Sequence, residues 1–216
     1  MPVLLLAFLG SACSGPLSAL DPAGPSAAAI SSLWWIMLAG AAAILALVLA
    51  LLGLSFRPSR GQPSKRLWLI GGGIVFPSVV LSALLVAGLI LGERSVRARD
   101  DAIEVMAEAS QFNWRFYYPG TNAGPSDGIL HIPAGRPVAV NLATRDVIHS
   151  FWVPQLGGKM DAIPGRVNRL TIEAYAPGTY LGICAEYCGI GHSRHGFQVI
   201  AHSSAEWDAI VAGEAP

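Results

Sequence analysis

The sequence predicts a membrane hairpin of two helices followed by one extracytoplasmic domain built mostly of β-strands. Three observations predict it. Two long uncharged runs, residues 33–54 and 67–92, both lie in the first part of the chain. Charge is scarce, 13% of residues against 53% hydrophobic, about half the charged share usual for a soluble domain. Beyond residue 93 charge returns, and short stretches alternate apolar with polar residues between Pro/Gly punctuation, the signature of a sandwich or barrel.

Residues 1–12 read as a signal peptide. VLLLAFL is too short to cross a bilayer, and Gly10, Ser11 and Ala12 follow it as small cleavage-site residues. Cys13 comes next. A cysteine after small residues resembles the lipobox of bacterial lipoproteins, which makes Cys13 a candidate for lipidation, although Gly10 stands where that pattern prefers leucine. Residues 13–32 are an extracytoplasmic segment with a Pro/Gly-rich linker over 21–26. Residues 33–54 then span a hydrocarbon core of about 30 Å, with Trp34 and Trp35 at the level of an aromatic belt. The loop 55–66 carries Arg57, Arg60, Lys65 and Arg66 and no acid, which assigns it to the cytoplasm and both chain ends to the outside. The second span, 67–92, contains Pro77, which a membrane helix tolerates with a kink.

Residues 93–216 suffice for one domain with its own core. Strands are expected over 103–109, 112–118, 136–143, 169–175, around TYLGICAEY, and over 196–202, with an amphipathic helix over 204–213. This part holds thirteen Asp and Glu against ten Lys and Arg, a net charge of −3, a modest and salt-screened attraction for a basic partner. The whole chain is formally neutral, which speaks against nucleic-acid binding. His131 and His202 have no neighbour of their kind in the sequence and read as strand or surface residues.

The chemistry concentrates in CAEYCGIGHSRH, residues 184–195. Two thiols, a carboxylate and two imidazoles in so short a space suit copper or zinc far better than magnesium or calcium. Structural zinc typically uses C-x-x-C knuckles in pairs, and iron–sulfur clusters ordinarily want four cysteines. A disulfide Cys184–Cys188 would close too short a loop to gain much. Zinc, a disulfide and a thiolate-bridged copper site all remain open at this point.

With TRDVIHSFWVPQLGGKMDAIPGR (144–166), CAEYCGIGH (184–192) resembles the motifs of subunit II of the haem-copper oxidases, specifically of bacterial cytochrome c oxidases. The resemblance runs from the signal to the last strand. It implies a two-helix transmembrane hairpin followed by an all-β, cupredoxin-like Greek-key barrel over 93–216. It implies two copper ions, a CuA centre. Cys184 and Cys188 would bridge both ions and His149 and His192 would bind one each. Glu186 would contribute its backbone carbonyl, while its side chain would face a magnesium ion shared with subunit I. It further implies an electron-entry subunit in the bacterial cell membrane. This subunit would take electrons from cytochrome c or a similar periplasmic donor and pass them to haem in subunit I, which reduces oxygen and pumps protons.

Two positions depart from the pattern. The family places a weak methionine ligand three residues after the second histidine, where this chain has His195; an imidazole there would favour Cu(II) and lower the potential. The aromatic run near the donor is QFNWRFYYP, so Phe112 replaces the first tryptophan while Trp114 matches the second; both are candidates for electron entry. The glutamate that related subunits often carry near the second helix is absent from the basic loop. Two rivals share the outline: a quinol oxidase subunit II, a class without the copper thiols, and a membrane-bound copper carrier with no oxidase partner.

Overall fold

Side chains that alternate in the C-terminal part of the sequence alternate across two β-sheets in the structure. The computed structural model describes residues 13–57, 64–96 and 101–214. The expected signal peptide and Arg60 of the basic loop lie outside these residues. The chain divides into two units, residues 32–93 and a unit joining residue 94 onward to the segment before residue 32.

In the first unit, α1 (Pro25–Ser55) and the run Leu67–Glu93 are each long and apolar enough to cross a membrane, with mean hydropathies of 2.7 and 2.6. The second run opens as a π-helix, Leu67–Val75, and continues as α2, Phe76–Val96. Phe76 N–H donates to Gly71 O, five residues back. Pro77 has no amide to donate, and the wider turn falls directly before it.

The second unit is a sandwich of two five-stranded sheets. One sheet runs β3 (Ser126–Asp127), β2 (Asn113–Tyr117), β1 (Ile103–Ser110), β5 (Val138–Thr144), β8 (Asn168–Ile172). The other runs β4 (Ile129–Pro133), β10 (Gly196–His202), β9 (Gly178–Cys184), β6 (His149–Trp152), β7 (Met160–Ala162). Neighbours are antiparallel except β1 with β5 and β4 with β10. Alternate residues point inward: Val105, Ala107 and Ala109 from β1, Trp114 and Phe116 from β2, Leu130 and Ile132 from β4, Phe197 and Val199 from β10. Each large side chain so buried contributes about 1.5–3 kcal/mol. Gly182 makes room for Phe197, whose ring would lie 2.2 Å from a Cβ there. The C-terminal helix α3 (Ser204–Ala212) starts from a capping box in which Ser203 and Glu206 satisfy each other's backbone amides, worth about 1 kcal/mol. It turns Trp207 and Ile210 inward.

Three expectations change. The strands β3, β4, β6 and β7 were not among those expected. β3 and β7 are too short to show a period, and β6 buries three of its four residues in succession. Residues 21–26 are not a free linker. Ala23 N–H donates to Gln155 O (2.7 Å), and Tyr175 N–H donates to Ala23 O (2.8 Å). A Cβ on Gly24 would fall 2.0 Å from Glu173 O, and α1 already begins at Pro25, where proline loses no helical hydrogen bond.

The third change concerns His131 and His202. Parallel pairing sets Ile200 opposite His131 and His202 opposite Pro133, so the two rings are diagonal neighbours on the outer face. His131 Nδ1 lies 2.8 Å from His202 Nε2, with the ring centroids 5.1 Å apart and the planes 28° from parallel. Burial, and then the His202 ring, push the His131 imidazole down; burial also pushes His202 down, with Glu206 opposing. The folded chain therefore binds fewer protons here than the unfolded chain at mildly acidic pH. Its stability should be full near neutrality and fall as pH drops through about 6.5. Denaturant midpoints of the full chain measured across that range should show the decline, and His131→Gln should flatten it.

Candidate metal centre

Three strand ends meet at one end of the second sheet, and each carries a donor atom. His149 opens β6, Cys184 closes β9, and His195 immediately precedes β10. The backbone ladder fixes them. Phe151 pairs with Cys184, Cys184 N–H donates to His195 O, and Ala185 N–H donates to Ser150 O, both at 2.9 Å. The loop between β9 and β10 brings Cys188 back over this end and closes with the 3-10 turn His192–Arg194. Gly189 takes φ +132° in that loop, a conformation that suits glycine.

Ligand atoms of His149, Cys184, Cys188 and His195 all lie within 4.8 Å of one another, and all four residues are buried. The two Sγ atoms are 3.9 Å apart and the thiols are free. His149 Nδ1 is 3.8 Å from Cys184 Sγ, and His195 Nδ1 is 3.5 Å from Cys188 Sγ. His192 stands outside this group of four, half-buried, with Nδ1 3.7 Å from Cys188 Sγ. The Glu186 carbonyl accepts from Cys184 Sγ at 3.3 Å. Its carboxylate sits 3.8 Å from Lys159 Nζ, an exposed pair that contributes little to stability.

The electrostatics of this cluster call for a cation. Burial pushes the Cys188 thiol up to about 11; Cys184 adds to this, and the charge of Asp146 acts in the same direction. Burial and the neighbouring sulfur both disfavour a Cys188 thiolate. A bound metal ion supplies the missing positive charge and converts thiols to thiolates by displacing their protons. Burial, and then the His149 ring, push His195 below its ordinary value, which keeps it in the neutral form that ligates metals. The donor set, two sulfurs and imidazole nitrogens, fits copper.

Asp146 was not singled out in the sequence, although an acid three residues before His149 is a readable signal. Its Oδ1 lies 2.7 Å from His149 Nε2, so Nε2–H donates to the carboxylate and Nδ1 faces Cys184. The carboxylate also accepts from the backbone amides of Gln111 and Val147, each at 2.7 Å. Burial raises this carboxyl, but the hydrogen bonds from His149, Gln111 and Val147 outweigh it and hold Asp146 at about 2. Gln111 also donates from Nε2 to Cys188 O, 2.5 Å away.

The two aromatic candidates take different places. Phe112 is 39% exposed and its ring lies on the ligand loop, 2.5 Å from where a Cβ of Gly191 would be. It meets His195 edge-on at 6.1 Å. Trp114 has no exposed surface and stacks beneath His195 at 5.8 Å. Cys13 is partly buried and its carbonyl accepts from Ser18 Oγ at 2.8 Å; it lies apart from the four-residue group.

A cupredoxin-like sandwich that carries two thiols and clustered imidazoles, preceded by two apolar helices, defines a membrane-anchored metal-binding class. The family model described as cytochrome C oxidase subunit II, periplasmic domain, matches residues 124–202. Cytochrome c oxidase subunit 2 of Alkalihalophilus pseudofirmus is 31% identical over 234 residues, which cover 99% of this chain and 67% of that protein. A Staphylococcus aureus protein named "Probable quinol oxidase subunit 2" is 34% identical over 140 residues, covering 63% of this chain and 38% of that one. The crystal structure of the periplasmic domain of subunit II of cytochrome oxidase from Bradyrhizobium japonicum is similar with a TM-score of 0.51 at 26% identity; the match covers 55% of this chain and 96% of that one. The matched stretches span between 31% and 67% of the first four curated relatives' own lengths. The chain belongs to the cytochrome c oxidase subunit II family, and the family implies copper at this cluster.

Asp146→Asn should weaken copper binding by about ten- to a hundredfold, the usual cost of losing a carboxylate behind a ligating histidine. Competition against a chelator would measure it, with circular dichroism confirming that the fold persists.

Proposed function

We propose that this chain is the electron-entry subunit of a terminal respiratory oxidase. It accepts electrons from cytochrome c or a similar extracytoplasmic donor and delivers them to haem in subunit I, where oxygen is reduced. The observation that carries this reading is the buried group His149, Cys184, Cys188 and His195, whose donor atoms lie within 4.8 Å of one another. In this reading Cys184 and Cys188 would hold two copper ions, with His149 and His192 as a ligand for each and the Glu186 carbonyl and His195 as further donors. When bound, the copper pair supplies one-electron storage with no bond made or broken in a substrate.

The chain's own residues have supporting tasks. Asp146 holds the His149 tautomer with Nδ1 toward the sulfurs. Phe112 is the exposed aromatic that a donor would touch, and Trp114, wholly buried, acts only from behind it. The Glu186 carboxylate is a candidate for a magnesium ion shared with subunit I. The two apolar helices anchor the chain in the bacterial cell membrane, with the basic loop inside and the β domain outside. Residues 1–12 act as a signal peptide and Cys13 as a candidate lipid attachment site.

A second reading, a quinol oxidase subunit II, has the Staphylococcus aureus relative in its favour. The two thiols speak against it, because a subunit that takes electrons from quinol has no use for a buried dithiol. Metal analysis and electron paramagnetic resonance of the full chain purified in detergent separate the readings. Two coppers per chain with a mixed-valence signal, absent from Cys188→Ser, are expected. A chain that takes up no copper selects the quinol reading, and a single copper overturns the paired centre.

A further inference from the structure

We infer that His149, Cys184, Cys188 and His195 form a complete site for one tetrahedral divalent ion of the zinc class, nested inside the larger donor set. The inference rests on reading this cluster as a metal centre and concerns what the presence of His195 adds to it.

A tetrahedral ion with metal–sulfur bonds of about 2.3 Å and metal–nitrogen bonds of about 2.0–2.1 Å needs sulfur atoms about 3.8 Å apart and sulfur–nitrogen separations of about 3.6 Å. The structure has Sγ–Sγ at 3.9 Å, His149 Nδ1 to Cys184 Sγ at 3.8 Å and His195 Nδ1 to Cys188 Sγ at 3.5 Å. All four residues are buried, so the set has no open position for water, as in a structural site rather than a catalytic one. The outward nitrogen of His149 is already held by Asp146. His195 is 2% exposed, and its Nδ1 is the ring nitrogen that faces Cys188 Sγ. A thioether at position 195 would leave three strong donors; imidazole completes four. His192 Nδ1 is also 3.7 Å from Cys188 Sγ, but the four other donors already complete a tetrahedral set. His192 lies outside the group and is half-buried.

Uptake of such an ion displaces the two thiol protons and transfers no electron. A chain so loaded keeps His192 free and holds both sulfurs, so zinc competes with the copper pair for them. His195 is thus a determinant of metal selectivity.

The test uses the full chain in detergent with its thiols reduced, titrated with Co2+ as a coloured stand-in for zinc and then with Zn2+. One Co2+ per chain with tetrahedral thiolate bands is expected, displaced by an equivalent of zinc, and unchanged in His192→Ala. Affinity should fall by about a hundredfold or more in His195→Met and in His195→Asn; two variants guard against one failing to fold. Equal affinity in a folded His195 variant, or loss of binding in His192→Ala, overturns the inference. Copper stoichiometry is measured separately on the same preparation. Two coppers without His195-dependent cobalt binding overturn this inference and leave the electron-carrier reading standing. His195-dependent cobalt binding with a single copper supports the inference and overturns the paired centre.

Discussion

Two thiols buried side by side, 3.9 Å apart, are the constraint on which the rest of this structure depends. Left as it is, Cys188 resists ionisation, pushed up to about 11 by burial and by its neighbour. A cation bound between the sulfurs would offset this. The fold then has to deliver donors from three separate strand ends with their spacing already set, since a loop could not hold four ligand atoms within 4.8 Å without large entropy losses on binding. The hydrogen bonds from Cys184 and Ala185 to the strands on either side do this. Their geometry belongs to the sheet, and the sheet belongs to the core behind it.

That core is continuous with the site. Trp114 packs against Phe151 and Phe197 at 5.6 and 5.4 Å on one side and against His149 and His195 on the other. A side chain that contributes hydrophobic stability therefore also sets the tilt of two imidazoles. Phe112 seals the opposite side by lying flat on the glycines of the ligand loop. The ligand loop shows an apolar surface to solvent, with Ile190 98% exposed at its tip.

Much of this was legible in the sequence, for identifiable reasons. A bilayer demands about twenty apolar residues in succession, and two such runs are long and apolar enough to cross one. Period-two alternation pointed to β5 and β8, and short apolar runs between polar and Pro/Gly residues to β1, β2, β9 and β10. β6 was not legible, because His149, Ser150 and Phe151 are all buried and leave no period to read. Cys184, Cys188, His192 and His195 are neighbours in sequence, so their proximity was visible before the fold was known; His149 came from a motif rather than from its place on a strand. Asp146 escaped notice because it acts through hydrogen bonds from His149 and from the backbone of Gln111 and Val147, which only the fold brings together. The pairing of His131 with His202 was invisible because only the parallel register of β4 and β10 brings them together.

The segment before α1 carries a consequence for synthesis. Ala23 is hydrogen-bonded to Gln155 and Tyr175, and Asp21 accepts from Gln155 across 134 residues of chain. These early residues leave the ribosome before their partners, which follow only after both apolar helices have been made. Closing so long a loop costs little more entropy than closing one of half the length, but it cannot happen until the intervening chain exists. The N-terminal segment must therefore wait, unsatisfied, while the hairpin is laid down. Its docking against the sandwich can follow only once residues 155 and 175 have been made.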